Sequence, residues 1–67
     1  MGSSDMRWQV RVDKRTPKFP FGQPIGEYTA LAAAESCATD QRRFNPIIVW
    51  ELRGGRRTAY KLFEQAV

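Results

Sequence analysis

The chain has 67 residues, and its eleven Lys and Arg outnumber its seven Asp and Glu, which gives a net charge of +4. A chain this short has room for one small domain, and such a domain buries only about 60% of its unfolded surface. A single cysteine and the lack of histidine exclude an internal disulfide and the usual metal sites. We therefore expect no cofactor, and a fold that depends on an efficient core or on a partner such as a second copy.

The sequence has no feature typical of a membrane or secreted protein. No apolar run approaches the about 20 residues that cross a bilayer, and no secretory signal is visible. A single free thiol favours a reducing setting, so we expect a cytoplasmic protein with no membrane partner and no metal. Residues 1–5 have the composition of a tag or a disordered start, and residues 6–67 form the predicted domain.

The first predicted element is a strand over residues 7–14, because apolar and polar side chains alternate strictly there. The apolar set is Trp8, Val10 and Val12, and the polar set is Arg7, Gln9, Arg11 and Asp13. Residues 15–26 follow with three prolines and two glycines, which predict a long loop without regular structure. Phe19 and Phe21 are expected to pin this loop over one edge of the core. A loop of this length in so small a domain is a candidate binding loop.

Residues 29–41 are the only helix candidate, because their alanine-rich composition favours a helix. Thr29 is the expected N-cap, since its hydroxyl can accept a hydrogen bond from a backbone N–H of the first turn. The apolar stripe consists mainly of small side chains, namely Leu31, Ala34 and Ala38, with Cys37 at its margin. We therefore expect this helix to lie close to a sheet that carries two tryptophans.

Residues 44–63 predict a β-hairpin, because two strand-forming runs flank Gly54 and Gly55. A three-residue turn from Arg53 to Gly55 is preferred over a two-residue turn, since it separates apolar from charged side chains. Gly55 would then take the left-handed backbone conformation of a bulge turn. With this turn, one face of the hairpin carries Ile48, Trp50, Leu52, Thr58, Tyr60 and Leu62.

The predicted fold is a small α+β domain in the order strand, helix, strand, strand, with a three-stranded sheet and one helix packed on one face. We expect the helix to cover the apolar side of the first strand and the face of the hairpin that carries Trp50. The opposite face would then carry Arg7, Gln9, Arg11, Ile47, Val49, Glu51, Arg57, Ala59, Lys61 and Phe63. The strand order stays open, and residues 64–67 are expected to fray.

The sequence gives little support for catalysis. Without histidine, Cys37 lacks the base that usually activates a thiol. The carboxylates are scattered along the chain, and no phosphate-binding or nucleophile motif is present. We therefore predict a binding module and not an enzyme.

The arginine-rich tip of the hairpin is the first candidate for binding. Arginine suits phosphate groups and base edges better than lysine, and a two-stranded ribbon can enter a DNA major groove or follow RNA phosphates. A charged tip can equally serve only to keep the turn in water. The predicted DNA- or RNA-binding residues are Arg7, Arg11, Arg53, Arg56, Arg57 and Lys61.

The uncovered sheet face supports an alternative from another class. Apolar side chains between cations fit a protein–protein interface of an adaptor, an inhibitor or a homodimer. The predicted interface residues are Ile47, Val49, Ala59 and Phe63. Only Phe63 on this face is free to stack on a base, because both tryptophans are assigned to the core, and this weakens the nucleic-acid hypothesis. The sequence leaves both hypotheses open.

Overall fold

The computed structural model describes residues 5–66, and within this range the chain forms four strands and one helix. In chain order these are β1 (Met6–Val12), β2 (Gln23–Tyr28), α1 (Leu31–Gln41), β3 (Ile47–Arg53) and β4 (Arg56–Phe63). The strands form one antiparallel sheet in the order β2-β1-β3-β4. The α+β class is confirmed. The predicted tag over residues 1–5 lies outside the described residues, apart from Asp5.

The prediction of three strands is wrong, because a fourth strand, β2, begins inside the stretch predicted as a loop. Pro24 and Gly26 argue against a strand, but β2 is an edge strand, where a residue without a backbone N–H is tolerated. The pairing of β1 with β2 shifts by one residue after Val10, so Ile25 is bulged out of register. The irregular connection is therefore limited to residues 13–22.

β1 lies in the middle of the sheet, between β2 and β3, and is antiparallel to both. β2 and β3 are therefore parallel to each other, and α1 connects them across one face of the sheet. No helix in residues 5–66 is long and apolar enough to cross a membrane.

The β3–β4 turn consists of two residues and not three, because Arg53 pairs directly with Arg56. Gly54 has a φ of +60° and Gly55 a φ of +82°, so the left-handed conformation predicted for Gly55 is confirmed and extends to its neighbour. A bulge follows in β4, where the pairing shifts by one residue and Thr58 falls outside the register. The predicted three-residue turn contained one residue more than the observed turn. The bulge takes up that extra residue, so the same side chains share a face as in the prediction.

The bulge places Trp50 opposite Tyr60 and Ile48 opposite Leu62. The large apolar side chains of the hairpin therefore share one face, as predicted. That face is turned away from the helix, however, and the prediction that the helix covers it is wrong. We call the sheet face opposite α1 the outer face, and its residues are Arg7, Gln9, Arg11, Ile48, Trp50, Leu52, Arg57, Tyr60 and Leu62.

α1 packs on the other face, where it covers the apolar side of β1 as predicted. From β3 it covers Ile47 and Val49, which pair with Val12 and Val10 of β1. The buried core consists of Val10, Ala34, Ala38, Ile47 and Val49. The small side chains of Ala34 and Ala38 let the helix lie close to the β-branched side chains of β1 and β3, and Trp8 on the same face is partly buried against this core.

The helix begins at Leu31 with Ala30 as its N-cap, so the predicted cap at Thr29 is wrong. Ala30 has an extended backbone and no side-chain capping bond. In the predicted apolar stripe, Ala34 and Ala38 are buried, whereas Leu31 is exposed.

The predicted frayed tail is wrong for residues 64–66. Hydrogen bonds tie these residues to the turn after α1, where Ala66 N donates to Arg42 O at 2.8 Å and Arg42 Nε donates to Glu64 O at 3.0 Å. Val67 lies outside the described residues.

We expect Val49→Asp to unfold most of the protein, because it places a charge without a partner in the core. Val49 is 3% exposed, and the expected loss is about 3 kcal/mol or more of the free energy of unfolding. Leu62→Asp is the matched control, since Leu62 is 52% exposed on the opposite face, and it should cost less than about 1 kcal/mol. Urea unfolding followed by circular dichroism measures both. Equal losses would contradict the assignment of the two faces.

Candidate functional site

The outer face is partly covered by the connection between β1 and β2, residues 13–22. Trp50 Nε1 donates to Phe21 O at 3.3 Å, and Arg11 Nη1 donates to Gly22 O at 2.6 Å. Gly22 has a φ of +95°, and a Cβ there would lie 2.2 Å from Val12 O, so only glycine fits. These contacts hold the Phe21 side of the connection against the sheet. Ile48 is consequently buried although it lies opposite the helix.

Three aromatic rings form a row on the outer face. The ring of Phe21 meets the ring of Trp50 edge to face, with 6.0 Å between the centroids. The rings of Trp50 and Tyr60, which are directly opposite in the β3–β4 pair, are tilted at 53° with 5.3 Å between the centroids. Tyr60 is 58% exposed and Phe21 is 43% exposed, whereas Trp50 between them is half-buried. Two of the three rings are thus accessible to a partner.

The guanidinium group of Arg57 lies directly on this row. Its central carbon is 3.8 Å from the centroid of the Phe21 ring and 5.6 Å from the centroid of the Trp50 ring. A cation at these distances is attracted by the electron-rich faces of aromatic rings. The row therefore holds the guanidinium of Arg57 against the surface, while the residue as a whole remains exposed.

Arg11 is the second cation near the row. Burial lowers the pKa of Arg11 below its ordinary value, the positive charge of Arg57 lowers it further, and the charge of Glu27 opposes both effects. The guanidinium remains charged at neutral pH because its ordinary pKa is so high. Two cations that repel each other in a partly buried position favour the approach of an anion.

The other predicted basic residues are divided between several places. Arg53 and Arg56 form a cross-strand pair next to the two-glycine turn, at the end of the sheet. Arg7 lies on the outer face, where its Nη1 contacts Glu27 Oε2 at 3.3 Å. Lys61 lies on the helix side, where its Nζ contacts Glu35 Oε2 at 3.2 Å, so the fold separates it from the cations of the outer face. Within residues 5–66, no ion pair involves Arg53, Arg56 or Arg57.

The residues predicted for a protein interface do not lie together on an open surface. Ile47 and Val49 are buried beneath α1, so their predicted exposure is wrong. Ala59 is exposed and Phe63 is half-buried, both on the helix side of β4. The physical reason is that the hairpin turns toward the helix the face that was predicted to be open. The β3 side chains predicted on the open face therefore lie under the helix, and those predicted under the helix lie on the outer face.

The sequence patterns did not indicate that four apolar residues of the outer face are accessible, namely Phe21, Trp50, Tyr60 and Leu62. The alternation in β3 gave no signal, because its apolar residues occupy successive positions and either set could face the helix.

The helix side offers less to a ligand. A cleft of about 170 Å³ lies between α1 and β4, below the about 300 Å³ at which small-molecule pockets usually begin. Its lining includes Trp8, Leu31, Glu35, Val49, Glu51, Ala59, Tyr60 and Lys61. Nearby, a hydrogen bond with Cys37 raises the pKa of the Tyr28 hydroxyl. In the part of the chain that the structure describes, no group of three or more His, Cys, Asp or Glu side chains could hold a metal ion.

Comparisons of this chain with protein families, curated proteins and solved structures found no significant match. Its function is therefore inferred from the outer face, which combines accessible aromatic rings with arginines.

We expect Phe21→Ala to loosen the cover of the outer face, because it removes the ring that contacts both Trp50 and Arg57. The expected loss is about 1–2 kcal/mol of the free energy of unfolding. Phe44→Ala is the control, since Phe44 is 66% exposed in the turn after α1, and it should change stability by less than about 0.5 kcal/mol. Urea unfolding monitored by tryptophan fluorescence compares the two variants. A loss no larger for Phe21→Ala than for Phe44→Ala would show that the ring does not hold the connection in place.

Proposed function

We propose that the protein is a small, non-catalytic, nucleic-acid-binding module that uses the outer face. The observation that carries the proposal is the position of Arg57, which lies over the Phe21 ring on the face that also presents Tyr60. Cations next to accessible rings match both parts of a nucleic acid, because arginine binds phosphate and aromatic rings bind the faces of bases.

The arrangement of the arginines gives further support. Arg53 and Arg56 are directly opposite in adjacent strands, and like charges in this position destabilise a sheet. Arg57 and Arg11 form a second pair of cations, and this pair lies on the outer face, whereas the register places Arg53 and Arg56 on the helix side next to the turn. A bound phosphate between two cations would offset their repulsion. The net charge of +4 favours the approach of a polyanion over long distances.

The carboxylates favour a binding role over an enzymatic one. Glu27 contacts Arg7, Glu35 contacts Lys61, and Glu51 accepts a hydrogen bond from the Thr58 hydroxyl at 2.7 Å. Carboxylates engaged in surface contacts of this kind are poor candidates for acid–base catalysis. A cytoplasmic location, inferred from the single free thiol, belongs to the same proposal.

Protein binding through the outer face is the second candidate, and the exposure of Leu62 beside Tyr60 favours it. Trp, Tyr and Arg are also the residues that contribute most to protein–protein interfaces. The interface would then lie on the outer face, and an adaptor, an inhibitor or a homodimer could use it. Light scattering at several concentrations tests for the homodimer, and a nucleic-acid-dependent change in mass would instead support the first candidate.

We expect Arg57→Gln to weaken nucleic-acid binding about fivefold or more, because it removes a charge-assisted contact to phosphate. Arg43→Gln is the control, since it removes the same charge from an exposed position in the turn after α1, and it should change affinity less than twofold. Fluorescence anisotropy with mixed-sequence DNA and RNA, at about 50 and about 200 mM salt, measures both variants.

The salt dependence decides the proposal independently of the variants. Affinity should fall as salt rises, and the slope of log affinity against log salt should decrease by about 1 in Arg57→Gln. Absence of binding to either polymer at the lower salt concentration, or affinity that does not depend on salt, would refute a nucleic-acid-binding role.

A further inference from the structure

The accessible aromatic rings indicate which form of nucleic acid the outer face can bind, provided that the proposed function holds. Tyr60 contacts Trp50 on one side and is otherwise largely exposed, so part of its ring is available to a flat ligand. Trp50 is itself held by the hydrogen bond from its indole N–H to Phe21 O. Tyr60 therefore rests on a fixed ring. A ring that is already ordered loses less freedom on binding than a mobile one.

A second flat surface lies on the other side of Trp50. The guanidinium of Arg57 is stacked on Phe21 at 3.8 Å, and the guanidinium plane is itself a surface on which bases stack. The outer face thus presents a phenol ring and a guanidinium plane on either side of a half-buried indole. Bases in a duplex are stacked on each other and cannot offer their faces to such surfaces, whereas unpaired bases can.

The hairpin is not free to enter a duplex groove as a two-stranded ribbon. β1 pairs with β3 along its whole length, as far as the pair Met6 and Arg53. Beyond that pair, Gly54 N donates to Asp5 O at 3.0 Å, so the chain preceding β1 also flanks the turn. A major groove about 12 Å wide admits two strands, whereas this sheet has four strands spaced by about 4.8 Å. The only part of the hairpin that extends past β1 is its turn.

We propose that the outer face binds single-stranded nucleic acid, with unpaired bases stacked on Tyr60 and on the guanidinium of Arg57. Arg11 contacts a phosphate of the same strand. This inference rests on the proposed function, and it makes Tyr60 a stacking residue that determines the preference for single strands.

The test compares a mixed-sequence single strand of about ten nucleotides with its duplex, as DNA and as RNA, by fluorescence anisotropy. The single strand should bind about tenfold or more tightly than the duplex. Tyr60→Ala should weaken single-strand binding about tenfold, which corresponds to the loss of one stacked base. Tyr60→Phe keeps the ring and should bind within about twofold of the unchanged protein, as should Phe44→Ala.

Tyr60→Leu distinguishes a loss of base stacking from a loss of folding, because leucine still packs on Trp50 but has no aromatic face. It should be as weak as Tyr60→Ala while its urea unfolding stays close to that of the unchanged protein. Full binding by a folded Tyr60→Leu, or a duplex bound as tightly as the single strand, overturns this inference and leaves a phosphate-binding role in place. Absence of binding to every polymer overturns the proposed function and this inference with it.

Discussion

β3 is apolar on both of its faces, and the rest of the domain is arranged to cover them. Ile47 and Val49 lie under α1, whereas Ile48 and Leu52 lie on the outer face, and all four are buried. Because the chain has one helix, it can use regular structure to cover only one face of the sheet. The other face depends on the connection between β1 and β2, which packs Phe21 on Trp50. β1 remains central because β3 and β2 both pair with it.

The cover on the outer face reaches Arg57 of β4 but leaves Tyr60 and Leu62 of the same strand exposed. Phe21 extends to Trp50, and beyond that ring Tyr60 and Leu62 remain largely exposed. The same side chains therefore contribute to folding on one side and present a surface on the other. Arg57 links the two roles, since its guanidinium contacts two of the packed rings while its charge remains available to a partner. A surface built in this way is rigid before it binds, which reduces the entropy lost on binding.

Particular residues explain which parts of the fold could be predicted. The alternation in β1 correctly placed Arg7 and Arg11 on the outer face, because its polar residues favour the surface and its apolar residues favour the core. β3 has apolar residues at successive positions, so the alternation of side chains along the strand could not decide which set faces the helix. Most of β2 was predicted as a loop because Pro24 and Gly26 are strand breakers in the interior of a sheet, whereas an edge strand tolerates them.

The sequence by itself determined the α+β class, the helix and the hairpin, since these depend on local propensity, periodicity and turn residues. It also determined the excess of arginine and the grouping of Trp50 with Tyr60 on one face of the hairpin. The tertiary structure alone decided which way that face points. The helix packs Ala34 and Ala38 against Val49, and the bulge at Thr58 keeps Trp50 and Tyr60 together on the opposite face. These are contacts between distant parts of the chain, and local patterns do not contain them.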